Sequence, residues 1–214
     1  MKTITIKSIV LLASSFFFIS TANAVLINGK DWRPIIETSN ISYNQMASIY
    51  DVNTGILLDN NNTIIGQVNF SGYMWASIDD VRNMLSTYIA PVILDNINTT
   101  HQQVNSVWAN TILTTFGANF NDLTLSGTRA ITRTTVSTNP DHNVAVADIF
   151  NIFDIQFDDI IRTNQIQLAH VADPTYGQWL YTTVVPIPTA AYLMGTSLIG
   201  LLGFSRRKKL QLTA

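Results

Sequence analysis

The sequence predicts an α+β domain: helices in its first half, a mainly antiparallel sheet in its second, and a single transmembrane helix near the C-terminus. Three observations carry that reading. Apolar residues recur at helical spacing in three segments before Gly117, and runs rich in Thr, Val and Ile take over after it. Of the 214 residues, 47% are hydrophobic and only 12% charged. That is about half the charge of an ordinary soluble domain, so apolar segments are expected outside the folded part.

The first helix is expected over 42–50, where Tyr43, Met46, Ala47 and Tyr50 share a face. A second opens at Ser77, which can cap it while Asp80 returns the bond; Val81, Leu85 and Tyr88 then lie on one side. The third and clearest starts at Asn98-Thr99-Thr100. It carries Val104, Val107, Trp108, Ile112 and Leu113 on its apolar side and stops at Gly117. Strands are expected over 123–133, 143–150, 165–171 and 178–185, with Ser126-Gly127 as a kink or turn in the first. No repeat and no Gly/Ser linker divides residues 25–184, which read as one exported domain.

The ends are of a different kind. Residues 1–24 begin with a head bearing Lys2 and Lys7, continue as an apolar run over 9–19 and end in Ala22-Asn23-Ala24. That is a secretory signal peptide, with signal peptidase expected to cut between Ala24 and Val25. At the other end, residues 187–204 hold no charge. These eighteen residues make about 27 Å of helix, enough for a bilayer's hydrocarbon core. Arg206-Arg207-Lys208-Lys209 follows at once and would hold the C-terminus on the cytoplasmic side.

Just ahead of that apolar segment stands Val185-Pro186-Ile187-Pro188, and the segment itself reads Ala190-Ala191-Tyr192-Leu193-Met194-Gly195-Thr196 and then Leu198-Ile199-Gly200-Leu201-Leu202-Gly203-Phe204. Motif, apolar helix and basic cluster in that order, over 185–209, resemble the PEP-CTERM class of bacterial sorting tails, in its Val-Pro-Leu-Pro-Ala variant. Ile187 stands for Leu, Thr189 for Ala and Tyr192 for the usual Trp. The resemblance implies recognition by an exosortase, removal of the helix near the motif, and a destination in the envelope or exterior of a Gram-negative bacterium, often linked to exopolysaccharide or biofilm matrix. The two prolines suit such processing, because they keep the strip above the membrane extended and poor in N–H donors. A permanently anchored single-pass protein is the alternative.

A second resemblance is shorter. Asp31-Trp32-Arg33, Glu37-Thr38-Ser39-Asn40-Ile41-Ser42-Tyr43 and Phe70-Ser71-Gly72-Tyr73-Met74-Trp75-Ala76-Ser77 look like the opening of extracellular sulfatase-modifying-factor and C-type-lectin-like domains. Gly177-Gln178-Trp179-Leu180-Tyr181 would then be the closing strand paired with the first, although the Trp-Arg-Leu-Pro usual after the glycine is missing.

The chain has a formal charge of −2, but residues 25–184 hold six cations against all fourteen acids, a net charge of −8. Nucleic acid is therefore not an expected partner, while cations such as calcium are plausible ones. Zero cysteines exclude disulfides, thiolate metal sites and cysteine nucleophiles. His101, His142 and His170 form no paired motif, and no Gly-x-Ser-x-Gly elbow occurs. Asp51-Val52-Asn53-Thr54-Gly55 and Asp59-Asn60-Asn61-Asn62 are oxygen-rich turns without the full calcium-loop pattern, and so read as Asx-turns. Alternation would place Asp154 and Asp158 on one strand face, a carboxylate pair open to hydrolase chemistry or simply to solvent. Trp32, Trp75 and Trp179 are core or groove residues, whereas Trp108 reads as core. No catalytic, metal or cofactor residue is assigned. The expectation is a non-enzymatic surface or matrix component with possible carbohydrate or calcium binding; a secreted hydrolase using Asp pairs is the rival.

Overall fold

The structure, a computed structural model, describes residues 24–58, 69–136, 143–153 and 158–183, all within the compact unit Met1–Thr183. The strands are β1 (Val25–Ile27), β2 (Lys30–Trp32), β3 (Tyr50–Asp51), β4 (Ile56–Leu57), β5 (Met74–Trp75), β6 (Thr100–Val104) and β7 (Phe120–Asn121). They continue with β8 (Leu125–Thr135), β9 (Asn143–Ile152), β10 (Asp158–Leu168), β11 (Gly177–Gln178) and β12 (Leu180–Thr183). The helices are α1 (Tyr43–Ala47), α2 (Ile78–Ser86) and α3 (Val107–Phe116), with a single 3-10 turn at Ile35–Thr38.

This corrects the predicted fold class. The described chain is mostly sheet with few helices, and strands run through both halves instead of waiting for the second. One sheet has the order β1-β2-β12-β5-β4-β3 and is antiparallel throughout. The other has the order β11-β8-β9-β10-β6, with β7 also on β8; it is antiparallel except where β11 joins β8. The early strands escaped the periodicity reading because β3, β4 and β5 are two residues each, too short for alternation to register. The predicted transmembrane helix over 187–204 lies outside the described residues. Among those described, no helix is long and apolar enough to cross a membrane.

Local chemistry explains the elements that form. β1 and β2 are joined by Asn28-Gly29, with φ of 52° and 72°, the left-handed pair that a two-residue hairpin turn requires. Both α1 and α2 open with a capping box, Ser42 with Gln45 and Ser77 with Asp80. The helix expected from Asn98 instead splits in two. Thr100–Val104 is an edge strand on β10, Asn105 turns the chain at φ 48°, and Ser106 caps a helix starting at Val107. A left-handed residue cannot lie inside a right-handed helix, so the apparent stripe through Val104 and Val107 is a coincidence of spacing. Val107 is 82% exposed, and the real apolar face is Trp108, Ala109, Ile112, Leu113 and Phe116. Gly117, at φ 81°, ends α3 as expected.

Strand β9 is buried on both faces and divides two cores. Ala145, Ala147 and Ile149 pack with α2, α3, Trp32 and Trp179; Val144 and Val146 pack with Ile41, Met46, Leu57, Phe70 and Trp75. The chain between β11 and β12 ties the sheets together. The Trp179 N–H donates to the Ile131 carbonyl on β8, while the Trp179 carbonyl accepts from Ala76 beside β5. Gly177–Tyr181 is not one closing strand: Gly177 and Gln178 join β8, and Tyr181 of β12 pairs with Trp32 of β2.

Gly127 is mid-strand, not a turn, and sits opposite Phe150. A Cβ at Gly127 would lie 2.5 Å from Phe150 Cδ1 and 3.1 Å from the Ile149 carbonyl, so the absence of a side chain is what lets the ring lie across β8. Gly127→Ala is expected to destabilise by about 1–3 kcal/mol, the usual cost of overpacking; an unchanged denaturant midpoint would contradict this.

Asp80 supplies the pH dependence of α2. Burial pushes its carboxyl up, but the Lys30 ion pair and the Ser77 hydroxyl and N–H outweigh that, and the net direction is down. Asp80 therefore stabilises the fold above its unfolded value of 3.8, and that contribution is lost as pH falls through the lower folded value. Asp80→Asn should cost about 1 kcal/mol at pH 7. Melting temperatures of the two proteins should converge as pH drops below about 4; a constant gap down to pH 2 would refute the assignment.

Candidate functional site

The strongest grouping of charge on the second sheet is a row across its three long strands. Register places Arg129 of β8 opposite Asp148 of β9, and Asp148 opposite Arg162 of β10. Asp148 is only 2% exposed. Arg162 grips it with a two-point fork, Nε to Oδ1 at 2.9 Å and Nη2 to Oδ2 at 2.8 Å. Burial pushes the Asp148 carboxyl above the usual carboxylate range; the Arg162 fork and the Arg129 charge pull against that without cancelling it. One carboxylate between two guanidiniums leaves the row with a surplus positive charge.

Aromatic rings hold the second arginine. The Arg129 guanidinium lies 4.8 Å from the Phe120 ring centroid, 5.0 Å from Tyr176 and 5.3 Å from Phe150. Arg162 shares the Phe150 ring at 5.1 Å. Asn119 fixes the Arg129 backbone from the side, accepting its N–H at 2.9 Å and donating to its carbonyl at 2.7 Å. Beside the row opens a cavity of about 250 Å³, walled by Phe120, Phe150, Ile152 and Ile160, with Arg129 and Arg162 at its edge. A larger cavity, about 370 Å³, is lined in part by Arg82, Asn96, Thr134 and Thr163. Its cation is already engaged: Arg82 donates to Asp79, Asn96 and Thr163.

The residues singled out by sequence are dispersed. Ala24 and Val25 stand at the entry to β1, while Ala22 lies outside the described residues. So do the motif Val185-Pro186-Ile187-Pro188 and the cluster Arg206-Arg207-Lys208-Lys209. His170 is exposed and His101 packs on Trp108 at 5.6 Å; His142 is outside the described residues. The Asp51 carboxylate is consumed locally by the Asn53 N–H and the Thr54 hydroxyl, an Asx-turn, and the Thr54 bond is the first cause of its lowered pKa. The second oxygen-rich turn, from Asp59, is not among the described residues. Among those that are, no three His, Asp or Glu side chains converge as metal ligands.

Asp154 also lies outside the described residues, so its pairing with Asp158 is not visible. The neighbouring Asp159 is 1% exposed and fully occupied: it accepts from the Ser106 N–H and hydroxyl and from the Ile152 N–H. That carboxylate steadies the cap of α3. All four tryptophans are buried, Trp32, Trp75 and Trp179 at 2% exposure or less and Trp108 at 7%. They offer no ring to a sugar, and neither does Phe150 at 6%; the half-buried ring at the open cavity is Phe120. No family model, curated protein or solved structure matches the chain.

Proposed function

We propose that this chain is an exported cell-envelope or extracellular-matrix component, delivered by signal peptide 1–24 and sorted by an exosortase-type enzyme through Val185-Pro186-Ile187-Pro188. Its domain over 25–184 acts by binding rather than by turnover. The observation that carries the sorting half is the order of motif, apolar segment and four consecutive cations. Supporting the binding half, the buried acids Asp148 and Asp159 are held by fixed partners and neither is free to act as acid or base. The hydrolase reading rests on Asp154 and Asp158, of which Asp154 lies outside the described residues. Calcium at Asp51 is disfavoured because its carboxylate already serves the turn.

Intact-mass spectrometry of the protein recovered from its host's envelope and medium tests this. The expected species begins at Val25 and ends near Pro186. A species still ending at Ala214 would overturn the sorting step and leave a membrane-anchored protein.

A further inference from the structure

The Arg129–Asp148–Arg162 row keeps hydrogen-bonding capacity in reserve. Arg162 uses Nε and Nη2 on Asp148, and among the described residues nothing accepts from its Nη1. Arg129 makes ring contacts but donates no side-chain hydrogen bond to a described residue, and its Nε is buried without a partner. Of these donors the Arg129 Nε is buried, where a partner is normally present, whereas the Arg162 side chain is 31% exposed, so its Nη1 can meet solvent or a ligand. The row sits beside a concavity whose other walls are apolar: Phe120, Phe150, Ile152 and Ile160. Asp158, on the same strand face, is not among the lining residues.

Charge makes the place unusual for this molecule. In a domain of net charge −8, an anion is repelled by most of the surface. Here two guanidiniums share one carboxylate, so an anion meets surplus positive charge and planar donors that match two oxygens at once. The volume, about 250 Å³, is below the roughly 300–1,000 Å³ typical of drug-sized sites and suits one ring. The half-buried Phe120 ring provides a face on which a C–H-rich ring can lie, while Phe150, buried and faced by both guanidiniums, backs the cavity.

We infer that the cavity bordered by Phe120, Arg129 and Arg162 is a binding site for a carboxylate carried on a single ring, of which an acidic sugar is the simplest example. Arg129 and Arg162 take the carboxylate, and Phe120 takes the ring. Asp148 is a positioning residue: it orients Arg162 and touches no ligand. The inference stands whether the tail is cut or retained, so failure of the sorting reading leaves it intact.

The test is calorimetric titration of the full-length protein with glucuronate, with glucose as the neutral counterpart and a glucuronate trimer as a polymer probe. Saturable glucuronate binding on the order of millimolar is expected, weakening as salt is raised, with glucose at least about tenfold weaker. Arg129→Gln should weaken glucuronate about tenfold or more while the thermal melt stays cooperative. Glucose binding as well as glucuronate would overturn the inference. So would the lack of saturable glucuronate binding, or unchanged binding by a folded Arg129→Gln. If that variant does not fold, the glucuronate–glucose comparison on the unaltered protein decides alone. A trimer tighter than the monomer identifies a polysaccharide source; equal affinities identify a free acid.

Discussion

A carboxylate at the middle of a strand buried on both faces is the constraint around which the second sheet is organised. Asp148 has almost no access to water, and an isolated charge there would cost several kcal/mol. Neutralisation comes from the strands on either side, each placing one arginine directly opposite. A slip of one residue on either flank would send that arginine to the helix-covered face and leave Asp148 facing an apolar or hydroxyl side chain. The charge thus specifies register for β8, β9 and β10 together. The same alternation turns Ala145, Ala147 and Ile149 toward α2 and α3, where small and branched residues allow close helix approach.

Asp159 repeats the device at the start of β10. Its carboxylate receives three hydrogen bonds, from Ser106 and Ile152, and so joins the sheet to the start of α3. Buried acids in this domain therefore hold elements in place, and the exposed acids give it its negative field. Positive charge with unspent donors gathers instead beside Phe120 and Phe150.

Much of the local structure is legible in the sequence, and the reasons for the rest are physical. The Ser77–Asp80 box and the stop at Gly117 depend on neighbours a few residues away, and both form. Asn28-Gly29 is an equally local hairpin signal that apolar periodicity does not detect. The boundary at Ser106 is lost to periodicity because Val104 and Val107 mimic a helical stripe, and Asn105 gives no warning of its backbone conformation. Two-residue strands carry no pattern of their own and are defined by their partners: β3, β4 and β5 pair in series, and β5 joins the sheet through β12. The candidate site is the least legible part. Arg129, Asp148 and Arg162 lie on three different strands, none in a motif, and only sheet register brings them into one row.

The row is the centre of this account, and its energetic reality can be measured directly. A double-mutant cycle of Asp148→Asn and Arg162→Gln, followed by denaturant unfolding, isolates their coupling from the cost of each change alone. A coupling of at least about 1 kcal/mol is predicted for partners in a buried fork. Additivity to within about 0.3 kcal/mol would mean the fork contributes nothing of its own, and the account of how this sheet is held would be wrong.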